Sequence, residues 1–292
     1  MHTLILGAGY SGKRIARLAM QCGSVTGTRR EQSGIDELAS LGIEGVQLNS
    51  KLNDEFITQL SKATHLIVSV APNREAPLHD PMLSLLQTLP ATTFSHLKWI
   101  GYLSTIGVYG DYQGRWVGEG SQCVSTQPRS MMRREAEIAW QLFGEKLGVP
   151  VAVLRLSGIY GPGRNAVRDA LIGKARILVK PHQVFNRIHV EDLAHATLLA
   201  AKQHFAGVLN ITDDNPAPPQ HVVQYAHALV GKSAPQAIDF DTADITPMAR
   251  SFYSENKRVL NTASKRMLGM HYRYPNYRVA LSEIWREHSE GL

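Results

Sequence analysis

Three glycines near the start of the chain have the spacing of a phosphate-binding loop. Gly7, Gly9 and Gly12 lie in LILGAGYSGKRIARL, directly after an apolar run and at the start of a helical pattern. Glycines at this spacing let the backbone turn tightly and approach a pyrophosphate, whose charge the amino end of the helix attracts. The stretch predicts a dinucleotide site that includes Tyr10 and Ser11. The alternative is a purely structural turn between strand and helix.

Two arginines after the next apolar stretch bear on which dinucleotide is bound. The segment SVTGTRR ends with Thr28, Arg29 and Arg30. An acid at this point would accept a hydrogen bond from the ribose 2′-hydroxyl, whereas an arginine pairs with a 2′-phosphate through its fork of donors. The sequence therefore favours NADP(H) over NAD(H). Glu31 is interpreted as a solvated partner of an arginine.

The elements that must position these residues alternate through the first two thirds of the chain. Apolar runs indicate strands in HTLILG, SVTGT, GVQL, HLIVSV, KWIGYLS and VPVAVLRLS. Helical patterns separate them at 11–22, 34–41, 54–59, 80–89 and 127–147. Strands this apolar are typical of a parallel sheet that is covered on both faces. The pattern predicts an α/β, doubly wound, mainly parallel Rossmann sheet of about seven strands, the last being VLNIT at 208–212.

The alternation ends after Gly161. The turn clusters GPGRN and DNPAPPQ are accompanied by helical patterns at 191–202, 221–230 and 277–288, without regular strands between them. We therefore expect an NAD(P)-binding Rossmann domain over residues 1–160, completed by the late strand near 207–212. Residues 161–292 are expected to form a smaller, C-terminal substrate-binding lobe.

The composition excludes several function classes. The chain has 292 residues, of which 43% are hydrophobic and 19% charged, which is ordinary for a globular protein. Two cysteines without a spacing motif, Cys22 and Cys123, suit a reducing compartment, and no apolar run is long enough to span a membrane. A cytoplasmic protein with no membrane partner is expected. No Cys/His or carboxylate spacing suggests a metal.

The positive charge is concentrated in one segment. The formal net charge is +6, and between Gly161 and Val190 six basic residues against the single acid Asp169 give +5. No aromatic interleaving or DNA-binding motif accompanies this charge, so an anionic small molecule is favoured over nucleic acid. The alternative is a solvated basic face.

Further motifs, together with the glycine loop, resemble those of the extended and atypical short-chain dehydrogenase/reductase (SDR) family, the epimerases and dehydratases of nucleotide sugars. They are YLSTIGVYGD at 102–111, LRLSGIYGPGR at 154–164 and RIHVEDLAHA at 187–196. The resemblance covers nearly the whole chain in the same order. It implies an NAD(P) cofactor and a nucleotide-sugar-like substrate. Family members also pair into homodimers through helices that would include 127–147, although the apolar positions of this helix can equally face the sheet.

The resemblance also implies where the catalytic residues lie. In the family, a Ser or Thr four residues before the VYG tyrosine contacts the reacting oxygen; here it is Thr105, with Ser104 beside it among the cofactor residues. A Tyr-x-x-x-Lys pair follows about 25 residues later, the tyrosine as acid/base and the lysine on the nicotinamide ribose. This sequence has Ser130 and Arg134 at those positions. The frame is kept, but the chemistry is changed.

The two substitutions limit the proton transfer that this chain can perform. Arg134 can bind the ribose or an oxyanion, but its guanidinium does not release a proton at working pH. The Ser130 hydroxyl is short and poorly acidic. Tyr109, in the VYG turn, is therefore a further acid/base candidate, and Tyr160 and His189 are additional possibilities. For each of the three, a packing role is the alternative.

Four other residues complete the candidate sites. Val70 and Ala71, at the end of the fourth predicted strand, are assigned to the cofactor site, and Arg164 and Arg187 to the anionic substrate. Arg155, inside a strand pattern, is interpreted as a buried structural ion.

Two functions from different classes fit these residues. The first is an NADP(H)-dependent epimerase or reductase acting on a nucleotide-sugar-like anionic substrate. Dehydration is disfavoured because Ile106 and Gly107 replace the acidic pair of the family's dehydratases. The second is a non-catalytic NADP(H)-binding redox sensor or regulator that has lost the Tyr–Lys pair.

Overall fold

A computed structural model of the protein describes residues 1–73, 75 and 80–290. Seven strands share one sheet: β1 (His2–Leu6), β2 (Ser24–Arg29), β3 (Glu44–Gln47), β4 (His65–Val68), β5 (Trp99–Thr105), β7 (Val151–Leu156) and β11 (Gly207–Ile211). Six shorter strands lie outside it: β6 (Trp116–Val117), β8 (Gly158–Tyr160), β9 (Ile177–Val179), β10 (Arg187–His189), β12 (Ala237–Asp239) and β13 (Arg258–Val259). The helices are α1 (Tyr10–Ala19), α2 (Gln32–Ser40), α3 (Asp54–Lys62), α4 (Pro81–Leu86), α5 (Pro128–Leu147), α6 (Ala166–Leu171), α7 (Val190–Lys202), α8 (Pro219–Leu229), α9 (Pro247–Phe252), α10 (Thr262–Leu268) and α11 (Tyr277–Glu290).

The seven-stranded sheet is parallel and doubly wound, as predicted. Its strand order is β11-β7-β5-β4-β1-β2-β3, and β1 pairs in parallel with both β2 and β4. The order reverses between β1 and β4, which makes this the switch point where α/β sheets bind ligands at their carboxyl ends. Leu4, Ile5 and Leu6 of β1 are completely buried, because helices cover both faces of a sheet of this type.

Local sequence signals set the helix ends. Asn53 caps α3 by accepting a hydrogen bond from the amide of Phe56, and the Asp80 carboxylate accepts from the first amides of α4. Helix α5 begins at Pro128, whose missing N–H costs nothing in the first turn. It ends at Leu147 and is capped by Gly148, whose φ of +69° suits glycine.

Aromatic packing holds the long helix α5 in place. Trp140 is fully buried, stacks on Tyr102 of β5 at 6.1 Å and meets Phe143 edge-on at 5.8 Å. Its indole Nε1 donates to Asp80 Oδ2 at 2.9 Å. These contacts fix the rotation of α5, so that Ser130 and Glu137 belong to its buried face.

The described chain forms two compact units whose segments alternate along the sequence. The first comprises Met1–Val108, Thr126–Arg155 and Leu193–Leu209, and the second comprises Tyr109–Ser125, Leu156–Asp192 and Asn210–Leu292. These units differ from a single division at residue 160, because 109–125 packs with the later residues and 193–209 with the earlier ones.

The second unit contains regular strands that the sequence patterns did not predict. Its short strands pair in parallel, β8 with β10, β9 with β12 and β6 with β13. The expectation of helices without regular strands was therefore wrong. Strands of two or three residues are too short to show a period-two pattern. In the part of the chain that the structure describes, no helix is both long and apolar enough to cross a bilayer.

Candidate active site

The glycine loop lies between β1 and α1 and has a shape that only glycine permits. Gly7 has a φ of +80°, and a Cβ there would lie 2.9 Å from Val70 Cγ2. A Cβ on Gly12 would lie 3.1 Å from the Gly7 carbonyl oxygen. Gly9 precedes α1 without any side chain to cap it. Side chains at Gly7 and Gly12 would crowd against the protein itself, so these glycines allow the tight turn between β1 and α1 that fits a bound dinucleotide.

Residues at the end of β2 hold this loop through hydrogen bonds. Thr28 is buried, its Oγ1 accepts a hydrogen bond from the Gly7 amide at 3.0 Å, and its carbonyl accepts from the Ala8 amide at 3.0 Å. Arg29 Nη1 donates to the Ala8 carbonyl at 3.1 Å, which places its charge beside the loop. Arg30 is exposed to solvent. Thr28 therefore shapes the loop, and Arg29 places a cation beside it.

A buried carboxylate links strands β5 and β7 to helix α5. Glu137 of α5 is completely inaccessible to solvent. Its Oε1 accepts from Ser104 Oγ at 2.6 Å and from Arg155 Nε at 3.0 Å. Its Oε2 accepts from Arg155 Nη2 at 2.8 Å and from Arg134 Nη1 at 2.9 Å. Arg155 is thus the buried ion that its strand position predicted, whereas the role of Glu137 was not predicted from the sequence.

This network changes the interpretation of Ser104 and Arg134. The Ser104 hydroxyl is 4% exposed and donates to Glu137, and its assignment to the cofactor stays a prediction. The Arg134 side chain is 39% exposed, so one end of the guanidinium is tied to Glu137 while part of it reaches solvent. Arg134 can therefore bind a ribose or an oxyanion without leaving its ion pair.

Two hydroxyl groups meet at Gly107. Thr105 Oγ1 accepts a hydrogen bond from the Gly107 amide at 3.1 Å. A Cβ on Gly107 would lie 3.0 Å from Ser130 Oγ and 3.3 Å from Thr105 Oγ1, so a glycine keeps this space open. The structure therefore brings Thr105 and Ser130 to the same place, although 25 positions separate them in the sequence. Their catalytic role stays a prediction.

Tyr109 lies in a different setting, within the second unit. It is completely buried, and its hydroxyl donates to Asn210 Oδ1 at 2.7 Å. A phenol in this position stabilises the packing of the unit, which favours the packing alternative over the acid/base role. His189 is also buried, 5.4 Å from the Tyr160 ring and 3.8 Å from the Tyr274 ring, and is likewise placed for packing.

The two predicted substrate arginines differ in environment. Arg164 is exposed in the turn after β8, where its backbone pairs with Gly161. Arg187 Nη1 donates to the carbonyls of Phe185 at 2.9 Å and Ala217 at 3.1 Å, and burial lowers its pKa. Arg164 is thus exposed to solvent, whereas the Arg187 guanidinium is partly buried and binds two backbone carbonyls.

A buried acid lies close to Arg187. Asp213 is 1% exposed, and its Oδ2 accepts no hydrogen bond from the described residues. Burial raises the pKa of Asp213 to about 8, although Arg187 and the Asn215 amide act in the opposite direction. Buried Tyr160 has a raised pKa for the same reason, so its phenol stays protonated. Among the described residues, no group of three His, Cys, Asp or Glu side chains could hold a metal ion.

The sheet and its glycine loop define an α/β protein with the NAD(P)-binding fold of the extended SDR class. The chain belongs to the NAD dependent epimerase/dehydratase family, whose sequence profile matches residues 3–212. The family resemblance is therefore confirmed over most of the chain.

Relatives of known sequence or structure extend the comparison to the whole chain. A solved structure of a functionally unknown conserved protein from Silicibacter pomeroyi DSS is 40% identical, with a TM-score of 0.88, over 98% of this chain and 99% of that one. Protein YeeZ of Escherichia coli (strain K12) is 26% identical over 287 residues, 93% of this chain and 96% of that protein. The structure of UDP-glucuronic acid 4-epimerase from Bacillus cereus in complex with NAD is 16% identical with a TM-score of 0.78, over 99% of each chain, which shows the same fold.

Replacing Glu137 with glutamine should destabilise the protein. The amide would leave the Arg155 guanidinium buried without its full counter-charge, which costs about 3 kcal/mol or more. Urea unfolding followed by tryptophan fluorescence measures the change in the free energy of unfolding. Glu145→Gln, at an exposed position of the same helix, is the control and should change it by less than about 0.5 kcal/mol. Equal stability of Glu137→Gln and the wild type would contradict the role given to this carboxylate.

Proposed function

We propose that this protein is an NADP(H)-dependent epimerase or reductase acting on an anionic, nucleotide-sugar-like substrate. The observation that carries the proposal is the convergence of Thr105 and Ser130 at Gly107, in the unit that holds the glycine loop. Arg29 beside the loop supports the choice of a 2′-phosphorylated cofactor. The basic segment that contains exposed Arg164 supports an anionic substrate. The two cysteines, Cys22 and Cys123, have no spacing motif, which supports a cytoplasmic, reducing location.

The side chains of this unit can take part in alcohol oxidation or carbonyl reduction. The nicotinamide supplies or accepts hydride when it is bound. Thr105 and Ser130 are short hydroxyls that can each donate a hydrogen bond to a reacting oxygen. Arg134 holds a permanent charge and stabilises negative charge on that oxygen without giving up a proton. In this proposal the proton passes through the hydroxyls of Thr105 and Ser130 to solvent, because residue 130 is a serine and not the acid/base tyrosine that the family resemblance implies.

The second candidate function is a redox sensor that binds NADP(H) without catalysis. It is favoured by the ion pair between Arg134 and Glu137, which gives the arginine a structural purpose independent of any reaction. Both candidate functions require the cofactor. They differ in whether the protein turns over a substrate, a reaction for which the Thr105 hydroxyl would be needed.

Cofactor binding is the first test of the proposal. NADPH should bind at least about tenfold more tightly than NADH, a difference of about 1.4 kcal/mol, because Arg29 pairs with the 2′-phosphate. Arg29→Met should remove most of this preference, while Arg17→Met, an exposed position on α1, should keep it. The measurement is cofactor fluorescence at equilibrium. If neither cofactor bound, the glycine loop would be only structural and both candidate functions would be wrong.

Thr105→Val should separate catalysis from binding. Without the hydroxyl, kcat/KM on a turned-over phosphorylated or nucleotide-linked sugar should fall by about a hundredfold, whereas NADPH affinity should stay within about twofold. Thr88→Val, an exposed threonine after α4, is the control. Unchanged turnover in Thr105→Val would remove this residue from the mechanism. A wild type that turns over none of the phosphorylated and nucleotide-linked sugars tested would favour the sensor.

We also propose a homodimer formed through α5, as the family resemblance implies. Met131, Ile138 and Leu142 are 48%, 44% and 58% exposed on this helix, which leaves them available to a second copy. Leu142→Glu should convert a species of twice the chain mass into a monomer in sedimentation. Ile172→Glu changes an apolar side chain that is 48% exposed elsewhere and should leave the dimer intact. A wild type that sediments as a monomer would contradict the proposal.

A further inference from the structure

Two cations beside the glycine loop share one carboxylate. Lys13 Nζ, from α1, donates a hydrogen bond to Glu37 Oε1 of α2, and Arg29 Nη1, at the end of β2, lies 3.8 Å from Glu37 Oε2. The Glu37 side chain is 44% exposed, against 22% for Lys13 and 29% for Arg29. The hydrogen bond from Lys13 lowers the pKa of Glu37. The carboxylate is therefore charged at neutral pH and is the most exposed member of the three.

The backbone fixes the arginine at this position. Arg29 Nη1 donates to the Ala8 carbonyl, and a Cβ on Gly9 would lie 3.9 Å from Arg29 Nη1. A Cβ on Gly34 would lie 2.5 Å from Arg29 Nε and 3.1 Å from its Cζ, so glycine at the start of α2 makes room for the guanidinium. The guanidinium of Arg29 is thus fixed by backbone next to the dinucleotide loop, whereas Glu37, among the described residues, is held by its ion pairs with Lys13 and Arg29.

We infer that Lys13 is a second specificity determinant for the 2′-phosphate of NADP(H), and that Glu37 competes with this phosphate for Lys13 and Arg29. The inference rests on the proposed NADP(H) function and adds two residues to it. A phosphate carries more negative charge than a carboxylate and offers three acceptor oxygens, so it can replace Glu37 between the same two cations. NADH has only a neutral hydroxyl at this place and gains nothing from the exchange.

The competition has a direction that can be measured. An exposed ion pair is weak, so its opening costs little, but Glu37 also repels the incoming phosphate. Removing the acid should therefore strengthen NADPH binding, and removing Lys13 should weaken it. Both changes should leave NADH binding unaltered, since the rest of the dinucleotide contacts the glycine loop.

The test measures the affinity of NADPH, NADH and adenosine 2′,5′-bisphosphate for the full chain and its variants. Glu37→Gln should bind NADPH and the bisphosphate about three- to tenfold more tightly, and Lys13→Met about tenfold more weakly, with NADH within about twofold in both. Asp36→Asn removes a neighbouring exposed charge of the same helix and is the matched control. In the double variant Lys13→Met/Glu37→Gln, the gain from Glu37→Gln should shrink, and higher salt should reduce every effect.

The outcomes separate this inference from the proposed function. NADPH binding that does not respond to Glu37→Gln, or that responds no more than to Asp36→Asn, would overturn the inference and leave the proposed function intact. Equal changes for NADPH and NADH would also overturn it, because they would show a general effect on the fold. If neither cofactor nor the bisphosphate bound to any variant, the inference and the proposed function would both be wrong.

Discussion

The candidate site depends on one completely buried carboxylate, that of Glu137. An ionised acid taken out of water is costly unless charged donors surround it, and here two guanidinium groups and a hydroxyl do so. Because the donors come from β5, β7 and α5 itself, the charge can be satisfied only when these three elements are correctly assembled. The positions of Ser104, and hence of Thr105 at the end of the same strand, follow from this requirement.

The same carboxylate explains how the chain can carry arginine where its family has lysine. A lysine is a compact point charge, whereas arginine has a planar fork that serves two partners at once. Arg134 uses Nη1 for Glu137 and still exposes part of its side chain. A structural and a ligand-binding function are therefore compatible at this position, which is why the arginine alone does not distinguish an enzyme from a sensor.

The sequence predicted those features that local chemistry controls. The glycine loop, the seven sheet strands and the long helix that carries Ser130 and Arg134 follow from apolar periodicity, glycine spacing and the family frame. Glu137 and Lys13 were not predicted because their meaning depends on partners that are distant in sequence, such as Arg155 for the former. The frame of the catalytic positions was visible in the sequence, but the burial of the Tyr109 hydroxyl against Asn210 was not. A turn tyrosine looks the same in sequence whether its hydroxyl reaches a cleft or another side chain.

Asp213 makes the stability of the second unit fall as the pH rises from about 4 to about 8. Its carboxyl has a pKa of about 8 in the folded chain, against the ordinary value of 3.8 in the unfolded chain. Between pH 3.8 and about 8, Asp213 is therefore protonated when folded and ionised when unfolded. Folding then binds a proton near neutral pH, and the linkage makes this residue's contribution to stability greatest below about pH 4 and progressively smaller as the pH rises towards 8. With Asp213 neutral, the formal charge of +6 becomes +7, since one counted negative charge is absent. Unfolding of this unit near neutral pH therefore releases the proton held by Asp213.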